Sequence, residues 1–338
     1  MASTHTSSSR VVVIGLLSIL LLFGLLTACN STQAQQRPLR RQILERLQQR
    51  RNSTDRPNTA GTLEMLSVPA LSRTYYQYTP TSYRPNRPTP LILGFHGGST
   101  RAEKFSSTTD FNNLADREGF IVVYPQAIDR HWNDGLNTPG FDPNIDDVAF
   151  VRALIEEVKK NRNIDSRRIY ATGISNGGFF TIRLACEMSD RIAAFAPVAA
   201  ALAVNVQPKC QPKNPVSILL IGSPNDTFVP WLGGRMNKGT QILSMGQTVE
   251  FWKNRNGCTS REEIDPLPDR DPRDGTEVES SSYSGCRRNT EVRLLRVEGG
   301  GHTWPGGYGQ PRALVGQTSR DINGSEVVWN FFKRHTLP

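Results

Sequence analysis

Four short stretches of this chain carry residue types that could together perform acyl transfer. Gly173-Ile174-Ser175-Asn176-Gly177 matches G-x-S-x-G. The match is weak by itself, but it follows an apolar run (Ile169-Tyr170-Ala171-Thr172) and opens an apolar-periodic segment. A strand, a sharp turn and a helix are the setting in which such a serine becomes an exposed nucleophile, with glycines where flanking side chains would clash. Asp226 follows the run Ile218-Leu219-Leu220-Ile221, and His302 follows Val297 through Gly299-Gly300-Gly301. A histidine can take the serine proton and return it to a leaving group, while a carboxylate fixes its tautomer and stabilises its charged form. Elimination selects His302 among five histidines. His5 precedes the apolar N-terminal run, His335 follows the last predicted helix, and His96 and His131 precede Ser175. Only His302 completes the order Ser, Asp, His. The fourth stretch, Phe95-His96-Gly97-Gly98-Ser99, offers backbone N–H groups to a developing oxyanion. The N–H groups of Gly98 and Asn176 are the expected donors.

These stretches need a scaffold that brings strand ends together. Leu91-Ile92-Leu93-Gly94-Phe95, Phe120–Pro125, Arg168–Gly173, Ala193–Ala199, Ser217–Ile221 and Glu291–Val297 read as strands, several of them continuously apolar and so buried on both faces. Met65–Val68 and Thr74–Tyr78 read as two further strands joined by a turn. Helices are predicted at Phe111–Glu118, from Asp146-Asp147 through Val158, at Asn176 to about Met188, near Gln247–Arg255, and from Asn323 to Arg334. Asn323 and Glu326 sit at capping-box spacing. Strands alternating with helices imply a mostly parallel sheet with helices on both faces, an α/β fold in one domain. In such sheets sites gather beyond the carboxyl ends of the strands, where all four stretches lie. Residues 259–290 are polar and Pro-rich and read as an irregular excursion.

The N-terminal part has a different texture. Residues 11–26, VVVIGLLSILLLFGLL, are short for a membrane span, and with the residues around them (1–28) read as an export signal. Leu26-Thr27-Ala28-Cys29 resembles a bacterial lipobox, so Cys29 is the expected lipid-attachment site, and residues 29–62 an Arg/Gln-rich linker. Leu39, Ile43, Leu44 and Leu47 in that linker have helical spacing. The formal net charge of +9 would suit a nucleic-acid ligand, but Arg10 holds one of those charges and the linker five, leaving +3 over residues 63–338. No nucleic-acid partner is therefore expected, and the linker reads as a solvated spacer. Cys186, Cys210, Cys258 and Cys286 form an even set in an exported chain and read as two disulfides. Three connectivities exist; the sequential one, 186–210 and 258–286, is expected, because it closes short loops and ties down the polar excursion.

The stretches Leu91–Ser99, Asp146–Val158, GISNGG at 173–178, NDTFVP at 225–230 and GGGHTWPGG at 299–307 resemble the polyhydroxybutyrate depolymerase and feruloyl esterase group, the LpqC-like esterases. The resemblance spans roughly residues 63–338 and implies a secreted α/β-hydrolase. It also implies hydrolysis of carboxylic esters, whether hydroxyalkanoate polymers or feruloyl and acetyl groups on polysaccharide. Gly222-Ser223-Pro224 departs from the His-Gly-Thr common in that group. Trp304, Trp231, Trp132 and Tyr308 lie near the candidate site in sequence and are the expected substrate-binding aromatics, since aromatic faces suit sugar rings and phenolic acyl groups. Asp146 and Asp147 could suggest a metal, yet at a helix start they are better read as stabilising its N-terminus. No metal and no cofactor are expected. The expected partners are an ester substrate, polymeric or small, and a membrane surface reached through Cys29. Two other readings of the same residues are a serine peptidase of this fold and a non-catalytic, polysaccharide-binding surface lipoprotein.

Overall fold

The computed structural model describes residues 60–236 and 239–338. The expected export signal, Cys29 and nearly all of the expected linker lie outside the described residues. Twelve strands and seven helices are described. The strands are β1 (Thr62–Val68), β2 (Arg73–Thr79), β3 (Thr89–Phe95), β4 (Ile121–Pro125), β5 (Ile164–Ile174), β6 (Ala194–Val198), β7 (Ser217–Gly222), β8 (Gly234–Arg235), β9 (Gln241–Ile242), β10 (Glu263–Pro266), β11 (Glu277–Tyr283) and β12 (Val292–Glu298). The helices are α1 (Ala102–Thr108), α2 (Phe111–Glu118), α3 (Asp147–Asn161), α4 (Asn176–Glu187), α5 (Met245–Asn256), α6 (Arg312–Val315) and α7 (Gly324–Phe332).

Ten strands form one sheet in the order β1-β2-β4-β3-β5-β6-β7-β12-β11-β10. The inner six, β4 to β12, run parallel, and an antiparallel pair extends each edge. The chain leaves β3 toward β4 on one side and returns to β5 on the other. The carboxyl ends of β3 and β5 therefore flank a topological switch point, the crevice where open α/β sheets bind ligands.

The apolar runs make physical sense in this sheet. Along β3, Leu91, Leu93 and Phe95 point into one core, while Ile92 points into the other. In β4, Ile121 and Val123 divide from Val122 and Tyr124 in the same way. The first core is covered by α3, α4 and α5 through Val151, Leu154, Phe180 and Trp252. The second is covered by α1, α2 and α7 through Phe105, Phe111, Leu114 and Val328. Helix boundaries follow local chemistry. Asp146 accepts from the Ala149 N–H at the start of α3, and Ser244 and Gln247 form a reciprocal capping box on α5. Gly119 and Gly257 close α2 and α5 with left-handed backbones. Asn323 accepts from the N–H groups of Ser325 and Glu326 to start α7.

Residues 259–290 depart from expectation. They hold β10 and β11, which extend the sheet from β12. The strand was hidden by composition: β11 reads Glu-Val-Glu-Ser-Ser-Ser-Tyr, and it buries serines where an apolar residue would have signalled a strand. Ser280 is buried and accepts a hydrogen bond from Arg293 Nε at 2.8 Å. The disulfides are Cys186–Cys210 and Cys258–Cys286, the sequential pairing. The first joins the last turn of α4 to the segment before β7, and the second spans the excursion.

Candidate active site

Ser175 is the N-cap residue of α4, with φ 57° and ψ −124°. An L-residue adopts this region only when its surroundings over-determine it, at a cost of about 1–3 kcal/mol. The packing shows how it is held. A Cβ on Gly177 would stand 2.3 Å from the Phe95 carbonyl oxygen and 2.5 Å from that of His96. One on Gly173 would meet the Gly177 oxygen at 2.5 Å. These neighbours are all backbone and cannot turn aside, so both glycines of the G-x-S-x-G stretch are required by the close approach of β3, β5 and α4. Ser175 N–H donates to the Val198 carbonyl at 2.9 Å, which ties the turn to the end of β6. Asn176 is the first residue of α4, where an N–H has no partner within the helix and the helix dipole favours negative charge.

Across from this turn lies the loop that follows β3. The position of a Cβ on Gly97 is 3.6 Å from Ser175 Cβ, and that of one on Gly98 is 3.5 Å from Asn176 Cβ, so the glycine loop packs directly on the elbow. His96 holds the loop in place. It is wholly buried; its Nδ1 contacts the Gly97 carbonyl at 2.8 Å, and its Nε2 accepts from the Ala127 N–H at 3.2 Å. Burial lowers its pKa to about 4, so the ring is neutral and donates through Nδ1. His96 is thus a structural clamp, a role the reading of His96-Gly97-Gly98 as a plain N–H donor loop did not foresee.

The Asn176 side chain joins the elbow to a further loop. Its Nδ2 donates to Asp134 Oδ2 at 2.7 Å and to the Trp132 carbonyl at 3.0 Å, while its Oδ1 accepts from the Trp132 N–H at 2.8 Å. Asp134 is buried, and desolvation pushes its pKa up to about 6 despite the bonds from the Leu136 N–H and Asn176. Asp147 anchors the same loop. Its Oδ2 accepts from the Asn133 N–H at 2.7 Å, and its Oδ1 pairs with Arg73 at 2.8 Å. Burial nevertheless holds its pKa above the usual carboxylate value. Of the two acids at the start of α3, Asp146 caps the helix and Asp147 ties it to β2. Among the described residues no group of His, Cys, Asp or Glu is arranged to hold a metal.

Asp226 and His302 stand beyond β7 and β12, neighbouring parallel strands. His302 Nδ1 is 2.8 Å from Asp226 Oδ2, and the Asp226 side chain is 2% exposed. Oδ1 of the same carboxylate accepts from the N–H groups of Phe228 at 2.8 Å and Val229 at 3.0 Å. Two bonds fasten the loops that carry these residues. Ser223 Oγ donates to the Gly300 carbonyl at 2.5 Å, and Asn225 Oδ1 accepts from the Gly299 N–H at 2.9 Å. Ser223 belongs to the segment that departs from the pattern of the resembling group, and here its hydroxyl bolts one loop to the other. His302 N–H donates to the Val315 carbonyl at 2.6 Å, so α6 fixes the histidine backbone. A Cβ on Gly301 would lie 2.2 Å from that carbonyl oxygen, which explains a glycine before the histidine.

Two of the four expected substrate-binding aromatics are instead core residues. Trp132 is wholly buried, stacks on Phe180 at 5.1 Å and donates from Nε1 to the His96 carbonyl. Trp304 is 1% exposed, packs edge-on against Phe105 and Phe111, and donates to Ser325 Oγ. Proximity in sequence to His302 placed Trp304 near the site, but the chain turns it inward beneath α1 and α7. Trp231 and Tyr308 are half-buried. Trp231 packs beside Gly222 at the end of β7, and the Tyr308 N–H donates to the Thr108 carbonyl. An aromatic that sequence reading passed over meets the histidine: the Phe228 ring lies 4.9 Å from the His302 ring. Its position two residues after Asp226 was the available signal.

A mostly parallel sheet with a serine elbow at its switch point and an Asp–His pair beyond the neighbouring strand ends defines an α/β-hydrolase. Comparison with known proteins narrows the class. Residues 73–206 match the family described as Esterase PHB depolymerase. The candidate esterase NocK of Nocardia uniformis subsp. tsuyamanensis is 29% identical over 72% of this chain and 73% of its own. Feruloyl esterase B of Piromyces equi is 28% identical over 77% of this chain but only 44% of its own length, so this chain spans less than half of that relative. Among solved structures, the acetyl xylan esterase from Aspergillus awamori shares the fold, with a TM-score of 0.54 at 13% identity over 81% of this chain and 99% of that one. The resemblance to the polyhydroxybutyrate depolymerase and feruloyl esterase group is borne out by these matches, and the fold is that of the α/β-hydrolases.

Proposed function

We propose that the protein hydrolyses carboxylic esters through an acyl-enzyme on Ser175, with polysaccharide-linked acyl groups as its substrate class. The observation that carries this reading is the backbone of Ser175, held at φ 57° on the strand–helix turn that the glycine loop abuts. Strain of this kind persists where it serves the presentation of a nucleophile. Ser175 Oγ attacks the ester carbonyl carbon as His302 removes its proton. The N–H groups of Gly98 and Asn176 receive the oxyanion. The intermediate collapses as His302 passes the proton to the leaving alkoxide, and water then enters by the same path and releases the acid. Asp226 holds the imidazole with Nδ1 protonated, leaving Nε2 as the base.

The substrate class draws on what the relatives' names state, feruloyl and acetylxylan esters, together with the half-exposed aromatics Trp231, Tyr308 and Phe228. Export, and attachment to a membrane through a lipid on Cys29, belong to the same proposal. Their support is the apolar run at 11–26, the lipobox-like Leu26–Cys29 and the two disulfides. Ser175→Ala tests the central claim: it should lower kcat on a p-nitrophenyl ester by at least about 10³-fold and abolish labelling by a fluorophosphonate, with thermal unfolding unchanged. More than a tenth of wild-type turnover in that variant would refute the assignment. Inactivity of the wild type on esters, beside cleavage of an aminoacyl anilide, would favour a peptidase.

A further inference from the structure

The residues that touch His302 reach beyond the catalytic trio. Phe228 keeps 44% of its surface exposed although it is one of the larger apolar side chains of the fold. One side of its ring lies against the His302 imidazole, centroid to centroid 4.9 Å and tilted by 36°. Its N–H is bound to Asp226 Oδ1 at 2.8 Å, while Asp226 Oδ2 receives His302 Nδ1 at 2.8 Å. One buried carboxylate therefore anchors the Phe228 backbone and the His302 ring, and the Phe228 ring rests against the imidazole. Leu314, 70% exposed, is next to Val315, whose carbonyl receives the His302 N–H. Leu232, 86% exposed, ends the loop that carries Phe228. Scattered exposed apolar residues need no explanation, but these three lie on the two segments that hold the histidine.

The chemistry of the histidine says which half of a substrate these residues meet. His302 must deliver its proton to the leaving oxygen, so in the ester complex that oxygen lies beside the imidazole and the alcohol moiety extends past it. A group lying against the imidazole with an open face is beside the alcohol, whereas the acyl carbon is held by Ser175 and the glycine loop. The open face of a phenyl ring is flat and apolar. It suits an alcohol that presents a flat C–H face, such as a sugar ring, better than a small flexible alcohol.

Resting on the esterase reading above, we infer that Phe228 is a specificity-determining residue: an aromatic platform that binds the sugar ring of the leaving alcohol. The matching test compares two esters of one acid, a sugar ester and the methyl ester, using the acyl group that wild type cleaves. Full-length wild type, Phe228→Ala and Phe228→Tyr are assayed for kcat/KM on both. The ratio of sugar ester to methyl ester should fall about tenfold in Phe228→Ala, chiefly through KM, in keeping with the size of aromatic stacking contributions. Phe228→Tyr, which keeps the ring, should restore it. An equal loss on both esters would overturn the inference and make Phe228 a cover for the Asp226–His302 pair. No change on either would overturn it outright. Failure of the esterase reading looks different, because wild type would then cleave neither ester.

Discussion

Replacing Asp226 by asparagine tests the assignment of the base at the level of single hydrogens. The two carboxylate oxygens are not equivalent. Oδ1 accepts from the N–H groups of Phe228 and Val229, at 2.8 and 3.0 Å, and Oδ2 faces His302 Nδ1 at 2.8 Å. An asparagine must place its single oxygen where two N–H donors converge, since its amide N–H₂ there would oppose both. The amide nitrogen is then directed at His302 Nδ1 with a hydrogen on it, which Nδ1 can accept only if it carries none itself. The imidazole proton moves to Nε2, and the nitrogen that should take the Ser175 proton is occupied. The loop keeps its two backbone bonds and the side chain is nearly isosteric, so the fold should survive. The expected loss in kcat is about 10⁴-fold, about 5 kcal/mol of transition-state stabilisation. Steady-state kinetics on a p-nitrophenyl ester, beside a thermal melt, measure both parts. A variant that keeps more than a hundredth of wild-type kcat, while folded, would refute the role of Asp226. The acid would then have to be sought among Asp265, Asp269 and Asp271.

Three further outcomes follow from the same geometry. Gly177→Ala drives a methyl group into the Phe95 and His96 carbonyls, so it should displace the glycine loop, cost about 1–3 kcal/mol of stability and lower kcat by about 10²-fold; a fully active variant would contradict the packing. The Asp134 pKa of about 6 lies above the ordinary value of 3.8. The folded state therefore holds a proton that the unfolded chain has released, and stability falls as pH rises from about 4 to about 6, by about 3 kcal/mol from this group. Denaturant titrations of wild type and Asp134→Asn should diverge across that window in favour of the variant, and parallel curves would exclude the effect. Breaking Cys186–Cys210 by a double serine substitution opens a loop with a sequence separation of 24 residues. It should cost about 3 kcal/mol in the chain-entropy picture, read as a fall in Tm with kcat on a small ester retained.

What could be read from sequence was whatever the chain encodes locally. Period and apolar content identified the inner strands, because a strand covered on both faces must be apolar at every position, as Leu91–Phe95 is. Glycines around Ser175 and the order of Ser175, Asp226 and His302 named the candidate trio, since a tight turn and a fixed strand order leave marks in linear sequence. The four cysteines suggested their own pairing for the same reason, short loops being the easiest to close. Tertiary structure alone decided which side chains share a space. Trp132 and Trp304 looked like cleft residues by position, and only the packing of β3, α1, α4 and α7 turns them into the core. Polar β10 and β11 owe their existence to a partner strand that supplies hydrogen bonds to an otherwise irregular-looking segment. Ser223 reaches across 77 residues to Gly300, Asn176 across 42 to Asp134, and Phe228 lies on His302. Such contacts arise where the carboxyl ends of separate strands converge, and no spacing in the chain records that distance.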